Sequence, residues 1–134
     1  MLVSGGGGGE DSPALEGSPE AVGTGEASVR FRSPEDGATV DNPVRVQMEA
    51  EGVTIEPASS GVNANAGHFH VLVDVDCFPE GEVIPNDQSH HHYGMGQTEA
   101  QLTLAPGEHQ LCLQVGDGNH AALPLTDTVE ITVR

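Results

Sequence analysis

The sequence lacks lysine altogether, and its four arginines stand against 21 acidic residues, which gives a formal net charge of −17. Nucleic-acid binding needs clustered cations that displace counterions from phosphates, so this composition excludes that class of function. Docking on an anionic membrane surface is disfavoured for the same reason. Dispersed carboxylates keep a protein soluble, including at high salt, or they draw cations towards a site.

Tryptophan is also absent, aromatic residues make up 3% of the chain, and no apolar run is long enough to span a membrane. Residues 1–26 are rich in Gly, Ser, Pro and Glu, with too little apolar surface to offset the entropy of ordering. We therefore predict a disordered tether at 1–26 and a folded domain at 27–134.

A basic stretch followed by an apolar stretch, as in a complete signal peptide, is missing from the N-terminus. Residues 1–5 nevertheless resemble the end of a bacterial lipoprotein signal, although the cysteine that would carry the lipid is absent. We expect export to the periplasm or the extracellular space. A lipid anchor is expected only in an untruncated precursor, and no membrane insertion is expected.

Helical periodicity is missing as well, because no segment repeats apolar residues every 3.6 positions. Short alternating segments are separated by turn residues instead. The clearest is 44–50, where Val44, Val46 and Met48 share one face. The Pro-Gly pair at 106–107 predicts a hairpin between strands at 97–104 and 109–115. These patterns predict an all-β fold, an immunoglobulin-like antiparallel β-sandwich of about seven strands.

Only two cysteines are present, Cys77 and Cys112. Three states are open to them: a disulfide, free thiols, or a thiolate ligand. A disulfide would contribute roughly 3 kcal/mol by constraining the unfolded chain. The alternation of 110–114 places Cys112 on the outward row of its strand, between Gln110 and Gln114.

What the chain does have is histidine: five of its seven lie in two short segments. His68 and His70 belong to a strand predicted at about 68–76, in which Phe69, Val71 and Val73 form the opposite, apolar row. Residues two apart on a strand share a face at roughly 6.5–7 Å between Cα atoms, so two imidazoles can converge on one ion. The segment 90–92 repeats this spacing.

The second histidine segment lies in a loop predicted from residue 77 to 96, and structureless loops of that length are usually functional. Imidazole suits copper, zinc, nickel and iron, and several rings without a strong carboxylate presence favour copper, with zinc as the alternative. The predicted metal ligands are His68, His70, His90, His92 and His120. The alternative is a polar patch of mutually hydrogen-bonded rings.

Four more residues are candidates for an outer or additional role. Asp117 would orient a ring by accepting its free N–H, and Met95 would offer a thioether to copper(I). His91 is expected to point away from its neighbours, and His109 is expected to make a strand-end hydrogen bond. Protonated imidazole does not ligate, so binding is expected to fade below about pH 6.

Five ordered motifs resemble the bacterial domain-of-unknown-function 4399 family. They are Gly-His-x-His-x-Leu-x-Asp at 67–74, Ile-Pro-x-Asp at 84–87, His-x-His-Tyr-Gly-x-Gly-Gln-Thr-Glu at 90–99, Leu-x-Leu-x-Pro-Gly-x-His at 102–109 and Gly-Asp-x-x-His at 116–120. The resemblance spans roughly 29–134 and implies an exported immunoglobulin-like β domain without an established activity. The family's histidine places are occupied by His68, His70, His90, His92, His109 and His120, whereas Phe69 and Met95 depart from its pattern.

Three functions are compatible with these residues. We favour a module that binds a metal ion, copper first, as a carrier, buffer or sensor. The second is a structural or adhesion and assembly domain stabilised by an ion. The third is a copper-dependent redox enzyme, because a His-x-His strand in a Greek-key sandwich superficially resembles copper–zinc superoxide dismutase. That family's full ligand set and active-site arginine are not found, so enzymatic activity is the least favoured. The sequence identifies no protein partner.

Overall fold

The computed structural model describes residues 27–134, and the tether predicted at 1–26 lies outside the described residues. The described chain contains nine strands and one short 3-10 helix, Ala58–Ser60. The strands are β1 (Ser28–Ser33), β2 (Thr39–Val40), β3 (Val44–Glu51), β4 (Thr54–Ile55), β5 (Ala66–Val73), β6 (His90–His92), β7 (Glu99–Leu102), β8 (Gly107–Gly116) and β9 (Ala122–Val133).

The strands form two sheets. The smaller has the order β1-β3-β7, and the larger has the order β2-β9-β8-β5-β4, with β6 pairing to β5 beside this path. Most pairs are antiparallel, but the two-residue strands β2 and β4 pair in parallel with β9 and β5. The predicted all-β sandwich is confirmed. The strand number exceeds the prediction because two-residue edge strands are too short to show alternation.

One hydrophobic core lies between the two sheets. The small sheet contributes the inward row of β3 (Val44, Val46 and Met48), as the alternation predicted. The large sheet contributes Phe69 and Val71 of β5, which are fully buried. The opposite row of β5, which carries the histidines, therefore faces away from this core.

The predicted hairpin at 106–107 is wrong. Strand β7 pairs with β3 in the small sheet, whereas β8 pairs with β9 and β5 in the large sheet. The chain leaves the small sheet at Leu104, whose backbone N–H and C=O are both bonded to the side chain of Asn42, at 3.0 and 2.6 Å. Turn residues predict that the chain changes direction, but they do not specify which strand it pairs with next.

Cys112 lies on the outward row of its strand, as the alternation predicted, but it is fully buried because the outer face of the large sheet is covered. Residues 77–88, called here the covering segment, lie over it. Ile84 of this segment packs with Leu72, Cys112 and Ala122 in a second hydrophobic cluster. Cys112 forms a disulfide with Cys77, which settles the three states left open by the sequence.

Candidate metal centre

Four imidazole rings converge on the outer face of the large sheet: His68, His70, His92 and His120. The ring centroid of His68 lies 4.7 Å from that of His70, 4.8 Å from His92 and 5.0 Å from His120. The Nε2 atoms of His92 and His120 are 3.1 Å apart, so one of these nitrogens donates a hydrogen bond to the other. The rings come from β5, from β6 and from the loop before β9.

Strand register explains how the first three rings meet. His68 and His70 share a face of β5 because they are two residues apart. Strand β6 runs antiparallel beside β5, with His92 opposite His70 and His90 opposite Leu72. His91 pairs with Val71 and therefore points to the other face, as the sequence predicted. The second histidine segment is thus a strand, not part of a structureless loop.

The loop 117–121 supplies the fourth ring. The Asp117 carboxylate accepts hydrogen bonds from the backbone N–H groups of Asn119 and Ala121, at 2.8 and 3.0 Å. The His120 backbone N–H donates to the Asp117 carbonyl at 2.8 Å, and His120 has a φ of 64°. Left-handed backbone costs an L-residue roughly 1–2 kcal/mol, so the loop must be held by these bonds.

Two glycines make room for the rings. A Cβ atom at Gly116 would lie 2.7 Å from Nε2 of His70, and one at Gly94 would collide with the ring of His92. Gly116 is also the residue of β8 that pairs with His68. Because it is glycine, β8 places no side chain next to the ring of His68. Any other residue at these two positions would displace an imidazole.

The two innermost rings have no polar partner. His68 and His70 are 0% exposed, and neither nitrogen of either ring has a hydrogen-bond partner among the described residues. Burial first, and the neighbouring imidazoles second, lower the pKa of His68 to about 4 and that of His70 to about 3. The pKa of His92 is lowered by burial and by His120. Both inner rings are therefore neutral at pH 7, with lone pairs available for a metal ion.

The arrangement fits a transition-metal ion. His68, His92 and His120 each offer one ring nitrogen, and these three atoms lie within 4.8 Å of one another, so the three residues could hold a metal ion. His70 lies beside them, with centroids 5.2 Å from His92 and 6.0 Å from His120. A buried neutral ring without a partner normally costs stability, and a metal ion would satisfy its nitrogen.

His90 lies next to the cluster but not in it. Its Nδ1 is 2.6 Å from a carboxylate oxygen of Asp87, and its ring packs edge-on against Phe78 at 5.5 Å. His90 is on the same face of β6 as His92, but it is two residues away along the strand and pairs with Leu72 instead of His70. The structure thus separates His90 from the four rings with which the sequence grouped it.

The additional candidates have other contacts. His109 bonds through Nδ1 to Asp74 and through Nε2 to the Ala105 carbonyl, both at 2.7 Å, so it makes the predicted strand-end hydrogen bonds. Met95 is 77% exposed. Asp117 bonds to backbone amides instead of to a ring, and it positions His120 through the loop.

Sequence reasoning missed the two glycines beside the rings and Gln114. Gly94 and Gly116 are adjacent to site residues in the sequence, but only the strand register shows that their missing side chains accommodate imidazoles. Gln114 is fully buried, and its side chain bonds to the backbone of Phe78. In the sequence Gln114 only continues the polar row that contains Gln110, so no local signal marked it as buried.

The fold and the site together define a β-sandwich domain with a histidine cluster on the outer face of its larger sheet. The chain belongs to the family described as a domain of unknown function, DUF4399, whose profile matches residues 46–134. The matched region contains strands β4 to β9 in full, all seven histidines and both cysteines.

Among solved structures, the chain is similar to the fibronectin(III)-like modules of Clostridium thermocellum CbhA, at 15% identity and a TM-score of 0.46, covering 79% of this chain and 95% of that one. No curated protein matches the chain. Within residues 27–134, the structure contains no helix with the length and apolarity needed to cross a bilayer.

Proposed function

We propose that this protein is an exported metal-binding module that carries, buffers or senses copper, with zinc as the alternative ion. The ligands are His68, His92 and His120, with His70 as the neighbouring fourth ring. One observation carries the proposal: four imidazoles from three parts of the chain converge, and the nitrogens of the two innermost have no hydrogen-bond partner within residues 27–134.

The donor set supports the choice of ion. Imidazole nitrogens suit copper and zinc, whereas calcium, magnesium and manganese prefer oxygen ligands. In the described part of the chain, the group of residues within ligand distance contains three histidines and no carboxylate. A neutral imidazole set also tolerates both oxidation states of copper, which a carrier or sensor would encounter.

The burial of the four rings supports reversible binding. His68 and His70 are fully buried, but His92 and His120 are only partly buried. An ion at the cluster is therefore shielded by two rings and reached from solvent past the other two. Such a one-sided opening favours exchange with a partner over permanent enclosure.

The disulfide supports the proposed location. Disulfides form and persist in oxidising compartments such as the periplasm and the extracellular space. Cys77 and Cys112 are joined, and Cys112 is fully buried. A periplasmic or extracellular protein would keep this bond.

A structural ion is the second candidate. It is favoured by the fact that the rings come from separate segments of the chain. Because the ligands come from β5, from β6 and from the loop 117–121, an ion would cross-link segments far apart in sequence. Ions that bind only the folded state stabilise it by mass action, by about 2.7 kcal/mol at a hundredfold excess over Kd. For a domain of this size, that corresponds to a rise in Tm of roughly 10 °C.

The experiment that tests the proposal is a competition titration with copper(II) and with zinc, on protein purified without a histidine tag. We expect one tight site, and a loss of affinity greater than about tenfold in His68→Ala and His92→Ala. His91→Ala is the matched control, because it removes a neighbouring imidazole from the opposite face. Equal affinities for all four proteins would disprove the site.

The two candidate roles differ in the state of the metal-free protein. A carrier keeps its folded circular-dichroism spectrum after chelation and exchanges copper rapidly with a chelator. A structural ion leaves slowly, and its removal unfolds the domain. Measuring the release rate and the spectrum on the same sample separates the two roles.

A further inference from the structure

The covering segment is bonded directly to the residues that carry His120. The backbone N–H of Ile84 donates to the His120 carbonyl at 2.9 Å, and the N–H of Ala122 donates to the Glu82 carbonyl at 2.8 Å. A third bond joins the Gly81 N–H to the Ala122 carbonyl at 2.8 Å. These bonds form a short antiparallel ladder around the bridge between Val83 and Ala121.

The covering segment is itself fixed to the sheet at its beginning. The Cys77–Cys112 disulfide joins it to β8. At the next residue, the side chain of Gln114 binds Phe78, accepting from its N–H and donating to its C=O, both at 2.8 Å. Ile84 then packs against Cys112 and Leu72. A chain of contacts therefore leads from the disulfide to the ladder.

The position of His120 depends on this ladder. Its backbone has a φ of 64°, which an L-residue keeps only when the surroundings hold it. The Asp117 turn holds the N-terminal side of His120, and the Ile84 bond holds its carbonyl. A loosened ladder would let the ring drift from Nε2 of His92, which lies 3.1 Å away.

We propose that the Cys77–Cys112 disulfide is a positioning device for the metal site, acting on His120 through the covering segment. The proposal rests on the proposed function, because it concerns the affinity of the same site. Outer contacts that orient a metal ligand typically change affinity 10–100-fold when removed. Gln114 still holds Phe78 when the disulfide is gone, so we expect a loss of about tenfold, at the lower end of that range.

The test compares copper(II) affinity in the oxidised protein and in the double variant Cys77→Ala/Cys112→Ala, by competition with a chelator. Replacing both cysteines avoids reductants, which bind copper themselves, and leaves no thiol as a new ligand. We expect the double variant to bind copper about tenfold more weakly. Unchanged affinity would overturn the proposal.

A double-mutant comparison shows whether the effect passes through His120. The disulfide is removed again in a His120→Gly background, since glycine adopts the left-handed backbone without strain. We expect no further loss of affinity there, whereas the loss should persist in a His91→Ala background. Equal losses in both backgrounds would show that the disulfide acts on general stability instead, contrary to the proposal.

Amide hydrogen exchange in the unmodified protein keeps the proposal testable if the double variant does not fold. Coupling is reciprocal, so copper binding should slow exchange at the Ile84 and Ala122 amides that form the ladder. The Gly37 amide, bonded to the Glu130 carbonyl away from this ladder, is the control and should not change. Equal exchange at Ile84 with and without copper would overturn the proposal.

The outcomes for the two proposals are distinguishable. Absence of copper and zinc binding by the oxidised protein contradicts the proposed function itself. Binding by the oxidised protein with unchanged affinity in Cys77→Ala/Cys112→Ala contradicts only the positioning role of the disulfide.

Discussion

At the residue scale, the buried histidines His68 and His70 and the strand-end histidine His109 have pKa values shifted in opposite directions. Burial lowers the pKa of His68 to about 4 and that of His70 to about 3. The pKa of His109 is raised instead, first by its bond to the Ala105 carbonyl and then by its bond to Asp74. His68 and His70 therefore disfavour protons, and the strand-end histidine favours them.

The lowered pKa values predict how the stability of the metal-free protein depends on pH. In the unfolded chain His68 and His70 take up protons near pH 6.5, while in the folded protein they do not, so their contribution to stability is complete above that pH and falls with acidification. For His68 alone, the loss amounts to about 3 kcal/mol by the time the pH reaches its folded pKa. Urea unfolding in the presence of a chelator, between about pH 7 and about pH 4.5, measures this slope.

The variant His70→Ala should reduce that slope, because it removes a ring whose pKa is lowered to about 3. His109 acts in the opposite direction, since its stabilisation is present below pH 6.5 and is lost as the pH rises through its folded pKa. A metal-free protein equally stable at both ends of the range would contradict the assigned burial of the cluster.

The same values bear on how far metal release extends below the pH expected from free imidazole. A free imidazole loses its lone pair near pH 6.5, which led to the expectation that binding fades below about pH 6. His68 and His70 stay neutral to about pH 4 and about pH 3. Proton competition at these two rings therefore begins below pH 6, so we expect the loss of copper on acidification to be completed only below pH 6.

At the element scale, β5 is unusual because all of its residues are buried. Its inner row, with Phe69 and Val71, packs in the main core. Its outer row is covered at one end by the second hydrophobic cluster around Leu72 and at the other end by the remaining imidazoles. The strand thus supplies hydrophobic packing on one face and ligands on the other.

The close fit between neighbouring strands predicts the effect of Gly116→Ala. The new Cβ atom would lie 2.7 Å from Nε2 of His70, so the ring must move and the domain should lose stability, by roughly 1–3 kcal/mol. Thermal unfolding and copper titration of the metal-free protein measure the two effects. Both stability and copper affinity should fall.

The double variant Gly116→Ala/His70→Ala tests the cause. Removing the ring provides space for the new methyl group, so the alanine at 116 should cost little in the His70→Ala background. If its cost is the same with and without the ring of His70, the clash lies elsewhere in the backbone.

At the scale of the whole molecule, negatively charged residues greatly outnumber positively charged ones. All four arginines form exposed ion pairs: Arg30 and Arg32 with Glu49, Arg45 with Glu99, and Arg134 with Asp41. Exposed pairs of this kind contribute at most about 1 kcal/mol each. The large excess of carboxylates therefore remains uncompensated and repels itself in the folded state.

This repulsion predicts that salt stabilises the domain. Raising sodium chloride from about 0.1 M to about 1 M shortens the screening length from about 10 Å to about 3 Å, so Tm should rise. The control is the same salt series near the sequence pI of about 4.3, where the net charge vanishes and the salt effect should disappear. A Tm that falls with salt at pH 7 would show that the ion pairs outweigh the repulsion.

The sequence by itself determined the class of fold and the residue types at the site. Alternation is a local property, so it assigned the inward rows of β3 and β5 and placed His68 and His70 on one face. The two-residue period of a strand also predicted that His91 points to the face opposite His90 and His92. These features needed no knowledge of which strands are neighbours.

Tertiary structure alone decided which rings meet. His90 and His92 look equivalent in the sequence, but the register of β6 on β5 places His92 opposite His70 and leaves His90 beside Leu72 and Asp87. The partner of β8 and the burial of Cys112 were decided in the same way. Pairing register and sheet order depend on contacts between residues distant in the chain, and those contacts leave no local periodicity to be recognised.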